Sequence, residues 1–207
     1  MYFYDNTLYM SKLLKHFHRI RKRRSIGYFL KNFNLNNIIC EVGVRYGSNF
    51  HRLLNAAQPT IIYGVDIWKA DEILSHNDIF LSQEDLDKIY NTLKKSEEQD
   101  SRIKIIKDYS INTAKSFPDN FFDFVHLDAD HTYEAVKEDI KAWWPKVKIN
   151  GILSGHDYKQ CSIEAPMNKQ IIFGVIQAVN EMKEEYNIQH FHTTHENFAT
   201  WLFLKES

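Results

Sequence analysis

Phe122-Asp123-Phe124-Val125-His126-Leu127-Asp128-Ala129-Asp130-His131 sets a short apolar run directly against a cluster of acids and a histidine. An apolar run of this length, ended abruptly by polar residues, reads as a strand buried on both faces whose tip reaches the rim of a sheet. Working outward, the pattern repeats. Residues 38–42 are apolar up to Gly43, 61–65 end at Asp66, and 103–106 lead to Asp108. Residues 152–154 follow Asn150-Gly151 and run to His156-Asp157, and 188–192 and 200–204 read as two further strands.

Helical patterns fill the gaps. Val136, Ile140 and Trp143 share one face, with Thr132 at the N-cap position and Pro145 as the stop. Trp143 on that stripe reads as core. Ile171, Ile172, Val175, Ile176, Val179 and Met182 form a second stripe. Leu86, Ile89, Tyr90 and Leu93 suggest a helix inside the polar segment 70–100, which is long for a connection and reads as part of a lid. Strands alternating with helices make this an α/β chain with a mainly parallel sheet covered on both faces.

The 207 residues suffice for one domain with a full core, and 43% hydrophobic content is globular. We divide the chain into a basic N-terminal helical segment, 1–35, and a folded domain, 36–207. Between Asp5 and Glu41 there is no acid, while Lys12, Lys15, Arg19, Arg21, Lys22, Arg23, Arg24 and Lys31 all fall there. Leu13, Leu14, Phe17 and Ile20 recur among them at helical spacing. This is either a covering helix with a solvated cationic face or a surface for an anionic substrate, membrane or nucleic acid. The net charge of −1 disfavours a general polyanion binder, and nucleic acid with it. Cys40 and Cys161 form no C-x-x-C pair, so zinc or a disulfide framework is not expected. No apolar run approaches the roughly 18 residues of a membrane span, and no signal peptide is evident. The expected setting is the cytoplasm, and a homo-oligomer remains open.

Two constellations carry chemistry. The first is Glu41-Val42-Gly43-Val44-Arg45-Tyr46-Gly47-Ser48, spaced Glu-x-Gly-x-x-x-Gly after a strand. Glycines at such a turn let backbone approach a ligand, and Asp66, ending the next strand, is placed to accept hydrogen bonds from ribose hydroxyls. The spacing is not the G-x-G-x-x-G of dinucleotide sites. The second is the run from His126 to His131 together with His156-Asp157. Asp128 and Asp157 are hard oxygen donors of the kind magnesium prefers, and His156 would favour a softer ion such as manganese. An ion there could lower the pKa of a substrate hydroxyl while a nearby base takes its proton, Asp130 first and His131 second. His126-x-Asp128 also matches half of a non-haem iron triad, whose usual antiparallel barrel this alternating chain does not resemble. A non-catalytic nucleotide-binding scaffold is a further alternative.

The stretches 41–48, 64–68, 122–134, 139–145 and 151–158 together resemble the class I methyltransferases grouped with macrocin O-methyltransferase and the cephalosporin-hydroxylase-like proteins. The resemblance covers about residues 36–160 and is more specific in its second half. It implies a Rossmann-like, doubly wound, seven-stranded sheet with the last strand antiparallel, and S-adenosylmethionine as methyl donor. By the same resemblance Glu41, Gly43, Gly47, Ser48, Asp66, Trp68, Asp108, Ser110 and Asp128 would surround the cofactor. A Mg2+ or Mn2+ ion would rest on Asp128, His156 and Asp157, with Asp130 as base. His156 departs from the acid common there in sugar methyltransferases. The expected acceptor is a hydroxyl on a sugar or glycoside, with a catechol-like small molecule as the alternative.

Overall fold

β-Branched and aromatic runs set the strands, and the glycines and acids after them set where each strand stops. The computed structural model describes the backbone of residues 6–70, 81–160, 162–165 and 169–206, and the side chains of 7–70, 81–160 and 173–206. Cys161, and residues 71–80 of the segment read as a lid, lie outside them. In chain order the elements are α1 (Asn6–Phe17), α2 (Ile26–Asn32), β1 (Ile38–Val42), α3 (Ser48–Ala57), β2 (Ile61–Asp66) and α4 (Gln83–Gln99). There follow β3 (Ile103–Lys107), α5 (Ser110–Lys115), β4 (Phe122–Leu127), α6 (Tyr133–Trp143) and β5 (Val147–Tyr158). The chain ends with β6 (Ser162–Ala165), β7 (Lys169–Ile172), α7 (Val175–Glu185), β8 (His190–Thr193) and β9 (Ala199–Leu204).

Seven strands form one sheet in the order β3-β2-β1-β4-β5-β9-β8, and β6 pairs with β7 in a separate hairpin. β1 to β5 are mutually parallel and β9 runs against its neighbours β5 and β8. This is the Rossmann-like doubly wound sheet implied by the resemblance. Winding proceeds outward from β1 to β3 and then returns to β4 on the other side. The switch point therefore lies between β1 and β4, where ligands of such sheets bind.

Alternation within each strand divides the core into two layers. Ile39, Ile62, Phe124, Ile152 and Leu202 face a cluster with Leu13, Phe17, Leu30, Phe50 and Leu53. Their neighbours Cys40, Val125, Leu153 and Phe203 face a second cluster with Val136, Ile140, Trp143, Val175 and Met182. Helices α1 to α3 thus cover one face and α5 to α7 the other. Trp143 is wholly buried, as its place on the stripe requires.

Three local features differ from expectation. The N-terminal stripe is not one helix: α1 stops at Phe17, yet Ile20 beyond it is still buried at 4% exposure. The stripe from Ile171 to Met182 is divided, because Lys169–Ile172 is the strand β7 and α7 starts at Val175. Gly174 marks the break. A Cβ there would fall 2.4 Å from the Tyr133 backbone, and its N–H donates to the His131 carbonyl at 2.9 Å. Thr132 does occupy the N-cap of α6, but its side chain makes no cap bond, and Asp130 instead accepts from the Thr132 N–H at 2.7 Å.

The ends of β1, β2 and β4 are drawn together by backbone. The Gly43 N–H donates to the Val65 carbonyl at 2.8 Å and the Asp128 N–H to the Val42 carbonyl at 2.7 Å. Gly43 has φ +87°, and a Cβ on it would lie 2.1 Å from the Asp128 carbonyl oxygen. Alanine is excluded here by both conformation and space. Gly43→Ala is expected to lower the unfolding free energy by about 1–3 kcal/mol in urea denaturation. An unchanged midpoint would mean these strand ends can separate.

Candidate active site

The rim at the switch point opens on a cavity of about 1100 Å3. That exceeds the roughly 300–1,000 Å3 usual for one small ligand, so it has room for a cofactor and an acceptor together. Its walls include Glu41, Gly43, Ser48, Asp66, Asp108, Ser110, Asp128, Asp130, His131 and Asp157. Most residues singled out from sequence therefore meet in one place. Gly47, Trp68 and His156 do not line it. Gly47, at φ +81°, closes the turn by donating to the Val44 carbonyl at 2.8 Å. Trp68 is 1% exposed, donates Nε1–H to the Arg45 carbonyl at 3.0 Å and packs on Tyr90 at 5.2 Å. It braces the wall from behind. His156 lines a recess of about 10 Å3 next to Asp128 and Asp130, room for about one water.

On the β1–β2 side the acids are tied to the backbone of the glycine turn. Asp66 accepts from the Arg45 N–H at 2.8 Å and the Trp68 N–H at 2.9 Å, one on each oxygen. Each oxygen keeps a lone pair, and burial raises the carboxyl's pKa against these bonds. Glu41 is 1% exposed. Its Oε1 accepts from Asn49 Nδ2 at 2.9 Å, and Oε2 has no partner among the described residues. Burial pushes this carboxyl up to about 8, with Asp128 adding to the effect and Asn49 and Arg23 opposing it. An unpartnered buried carboxyl oxygen facing a cavity suits a cationic or hydrogen-bonding ligand group, such as the ammonium of an amino acid.

On the β4–β5 side charges are paired. His131 Nε2 lies 2.6 Å from Asp157 Oδ2 and 3.6 Å from Asp128 Oδ1, and its ring stacks on Phe173 at 5.0 Å. Burial lowers its pKa, but the two carboxylates outweigh this and lift it to about 9. His131 is therefore a cation at neutral pH. His156 Nδ1 is 3.2 Å from Asp157 and 3.8 Å from Asp128. Burial raises both carboxyls, but these histidines, and Arg23 at Asp128, hold both well below the usual range. Asp157 adopts φ +55°, a strained conformation for a non-glycine residue at a strand end. Asp128, His131 and Asp157 each offer a donor atom within 4.8 Å of the others. Two hard oxygens and an imidazole, with His156 alongside, fit a divalent cation such as Mn2+, provided that the ion displaces the proton on His131.

Four positions at this site were not evident from sequence. Arg23 reaches Asp128, Asn49 reaches Glu41, and Phe173 carries His131. Asp139 is the fourth, buried on the core side of α6, where the Ser110 hydroxyl donates to it and Trp143 Nε1–H donates to Ser110 at 2.9 Å. An acid on an otherwise apolar stripe was the available signal for Asp139. Asp108 accepts from the Tyr109 N–H at 2.7 Å at the start of α5, beside Ser110. His126 stands behind the rim, 1% exposed, with Nδ1 at 2.7 Å from Ser154 Oγ and Nε2 unpartnered.

The sequence profile of a family described as a methyltransferase domain matches residues 40–158. No curated protein matches the sequence. Among solved structures, the O-methyltransferase NovP is similar over 94% of this chain and 79% of its own, at 13% identity and TM-score 0.59. A protein from Corynebacterium glutamicum is similar over 89% and 79%, at 15% identity and TM-score 0.58. An O-methyltransferase family protein from Burkholderia thailandensis is similar over 89% of this chain but 55% of its own, at 10% identity and TM-score 0.62. At these identities the likeness is one of fold.

Burial pushes Asp139 up to about 7 from an ordinary 3.8, despite its Ser110 bond, with Asp130 and Glu138 adding to the rise. The folded state thus holds this proton more tightly than the unfolded chain. The stabilisation is complete below pH 3.8 and is lost as pH rises through about 7. Asp139→Asn is expected to gain stability relative to the unaltered protein between pH 5 and pH 8.5 in thermal melts. A difference independent of pH would contradict the assignment.

Proposed function

This chain belongs to the methyltransferase-domain family and is a class I S-adenosylmethionine-dependent methyltransferase, and we propose that it methylates a hydroxyl oxygen of a sugar or glycoside. The observation that carries the proposal is the Asp128–His131–Asp157 cluster, which opens on the same cavity as Glu41 and Asp66. A cofactor held on the β1–β2 side would thus face a group of hydroxyl-binding donors and acceptors on the β4–β5 side.

In this reading Glu41 and the Gly43–Ser48 turn hold the methionine end of the cofactor. Asp66 takes the ribose hydroxyls, and Asp108 and Ser110 border the adenine. Asp128, between these residues and the β5 acids, would offer negative charge to the cofactor's cationic end. A divalent cation on Asp128, His156 and Asp157 would supply a lowered hydroxyl pKa. Asp130, on the loop after β4, takes the hydroxyl proton. S-adenosylmethionine, when bound, would supply the methyl group, with the deprotonated hydroxyl oxygen as its acceptor and the carbon–sulfur electron pair left on sulfur.

The test is transfer of radiolabelled methyl from S-adenosylmethionine to a panel of glycosides and catechols, in EDTA and in Mn2+. Glycosides are expected to be labelled in Mn2+, and Asp130→Asn to lower the rate about 100-fold or more. Labelling of catechols alone would overturn the acceptor class, and full activity in EDTA would overturn the metal.

A further inference from the structure

Arg23 belongs to no part of the chain matched by the methyltransferase family, yet it is built into the site. Residues 18–25 leave α1 and cross to the β8–β9 turn. His192 Nε2–H donates to the Ile20 carbonyl at 2.7 Å, the His195 N–H to the Arg21 carbonyl at 2.9 Å, and the Arg23 N–H to Glu196 Oε2 at 2.6 Å. These contacts pin the strap up to the backbone of one inward side chain. Lys22 and Arg24 are exposed, whereas the Arg23 side chain is 15% exposed. Its Nη2 lies 2.5 Å from Asp128 Oδ2 and 3.8 Å from Glu41 Oε1.

The arrangement is not a finished structural ion pair. A buried arginine usually engages a carboxylate with two parallel N–H groups. Here one nitrogen makes the bond, and among the described residues Arg23 Nε, Glu41 Oε2 and His126 Nε2 are all buried without partners. Cationic charge has been brought between two acids without satisfying either fully. That is the behaviour of a counter-ion, whose service is its charge.

We propose that Arg23 is the built-in cation of this active site, and that it opposes a divalent ion for the use of Asp128. The inference rests on the proposed assignment of Asp128 as a metal ligand. Two cations sharing one carboxylate repel one another in a poorly solvated site. An ion drawn to Asp128 therefore loosens Arg23, and by reciprocity a docked Arg23 weakens the ion. The strap between α1 and α2 thereby senses the loading of a site that lies outside it.

The experiment measures Mn2+ affinity by electron paramagnetic resonance for the full chain, for Arg23→Gln and for Arg23→Lys. In parallel, the unaltered protein is digested with trypsin, with and without Mn2+, and cleavage at Arg21 to Arg24 is followed. Arg23→Gln is expected to bind Mn2+ at least about tenfold more tightly, and Arg23→Lys to stay near the unaltered value. Mn2+ is expected to speed tryptic cleavage of the strap in the unaltered protein, a readout that needs no variant to fold. Equal or weaker binding by Arg23→Gln, or a strap protected by Mn2+, overturns the inference while leaving the metal site standing. Mn2+ binding by none of the three proteins overturns the metal assignment and the inference with it.

Discussion

Four parallel-strand ends converge with their carboxylates in one partly desolvated rim, and such groups cannot all stay charged without compensation. The structure compensates each differently. Glu41, buried at the wall of the cavity, is biased towards its neutral form by that burial. Asp66 accepts two backbone N–H groups of its own turn and the glycine turn. Asp128 is held by Arg23 and His131, and Asp157 by His131 and His156. The result is a gradient across the cavity, from a proton-hungry acid on β1 to fully ionised, paired acids on β4 and β5. In the proposed reaction, a methyl donor carrying a positive sulfur and a hydroxyl that must lose a proton would meet that contrast.

Backbone geometry makes the convergence possible. Gly43 lets the end of β1 pass against the Asp128 carbonyl, so that the acids of neighbouring strands share one space. The two-layer core behind them is regular: adjacent residues such as Phe124 and Val125 point into opposite clusters. The rim inherits this rigidity, since each acid sits within a residue or two of a strand locked by both layers.

Much of this was legible in the sequence because strand ends advertise themselves. Apolar runs followed by Gly43, Asp66, Asp108 or Asp128 locate both the strands and the rim, and seven-stranded order follows from the resemblance. What the sequence hid was partnership across distance. Arg23 looks like one of eight cations in a basic stretch, and only its inward turn, set by contacts to residues 192–196, separates it from its exposed neighbours. The resemblance implies Trp68 at the cofactor, but its indole is spent on the Arg45 carbonyl and Tyr90. The break at Gly174 was hidden because Ile171 and Ile172 suit a helical stripe and a strand equally well by pattern.

Every role proposed above depends on cofactor binding in the cavity at the ends of β1, β2 and β4. Calorimetric titration with S-adenosylhomocysteine, of the unaltered protein and of Asp66→Ala, tests it directly. One molecule is expected to bind per chain, with affinity lowered about tenfold or more in Asp66→Ala, the scale of hydrogen bonds to a charged group. No binding by the unaltered protein, or equal binding by the variant, would contradict the account.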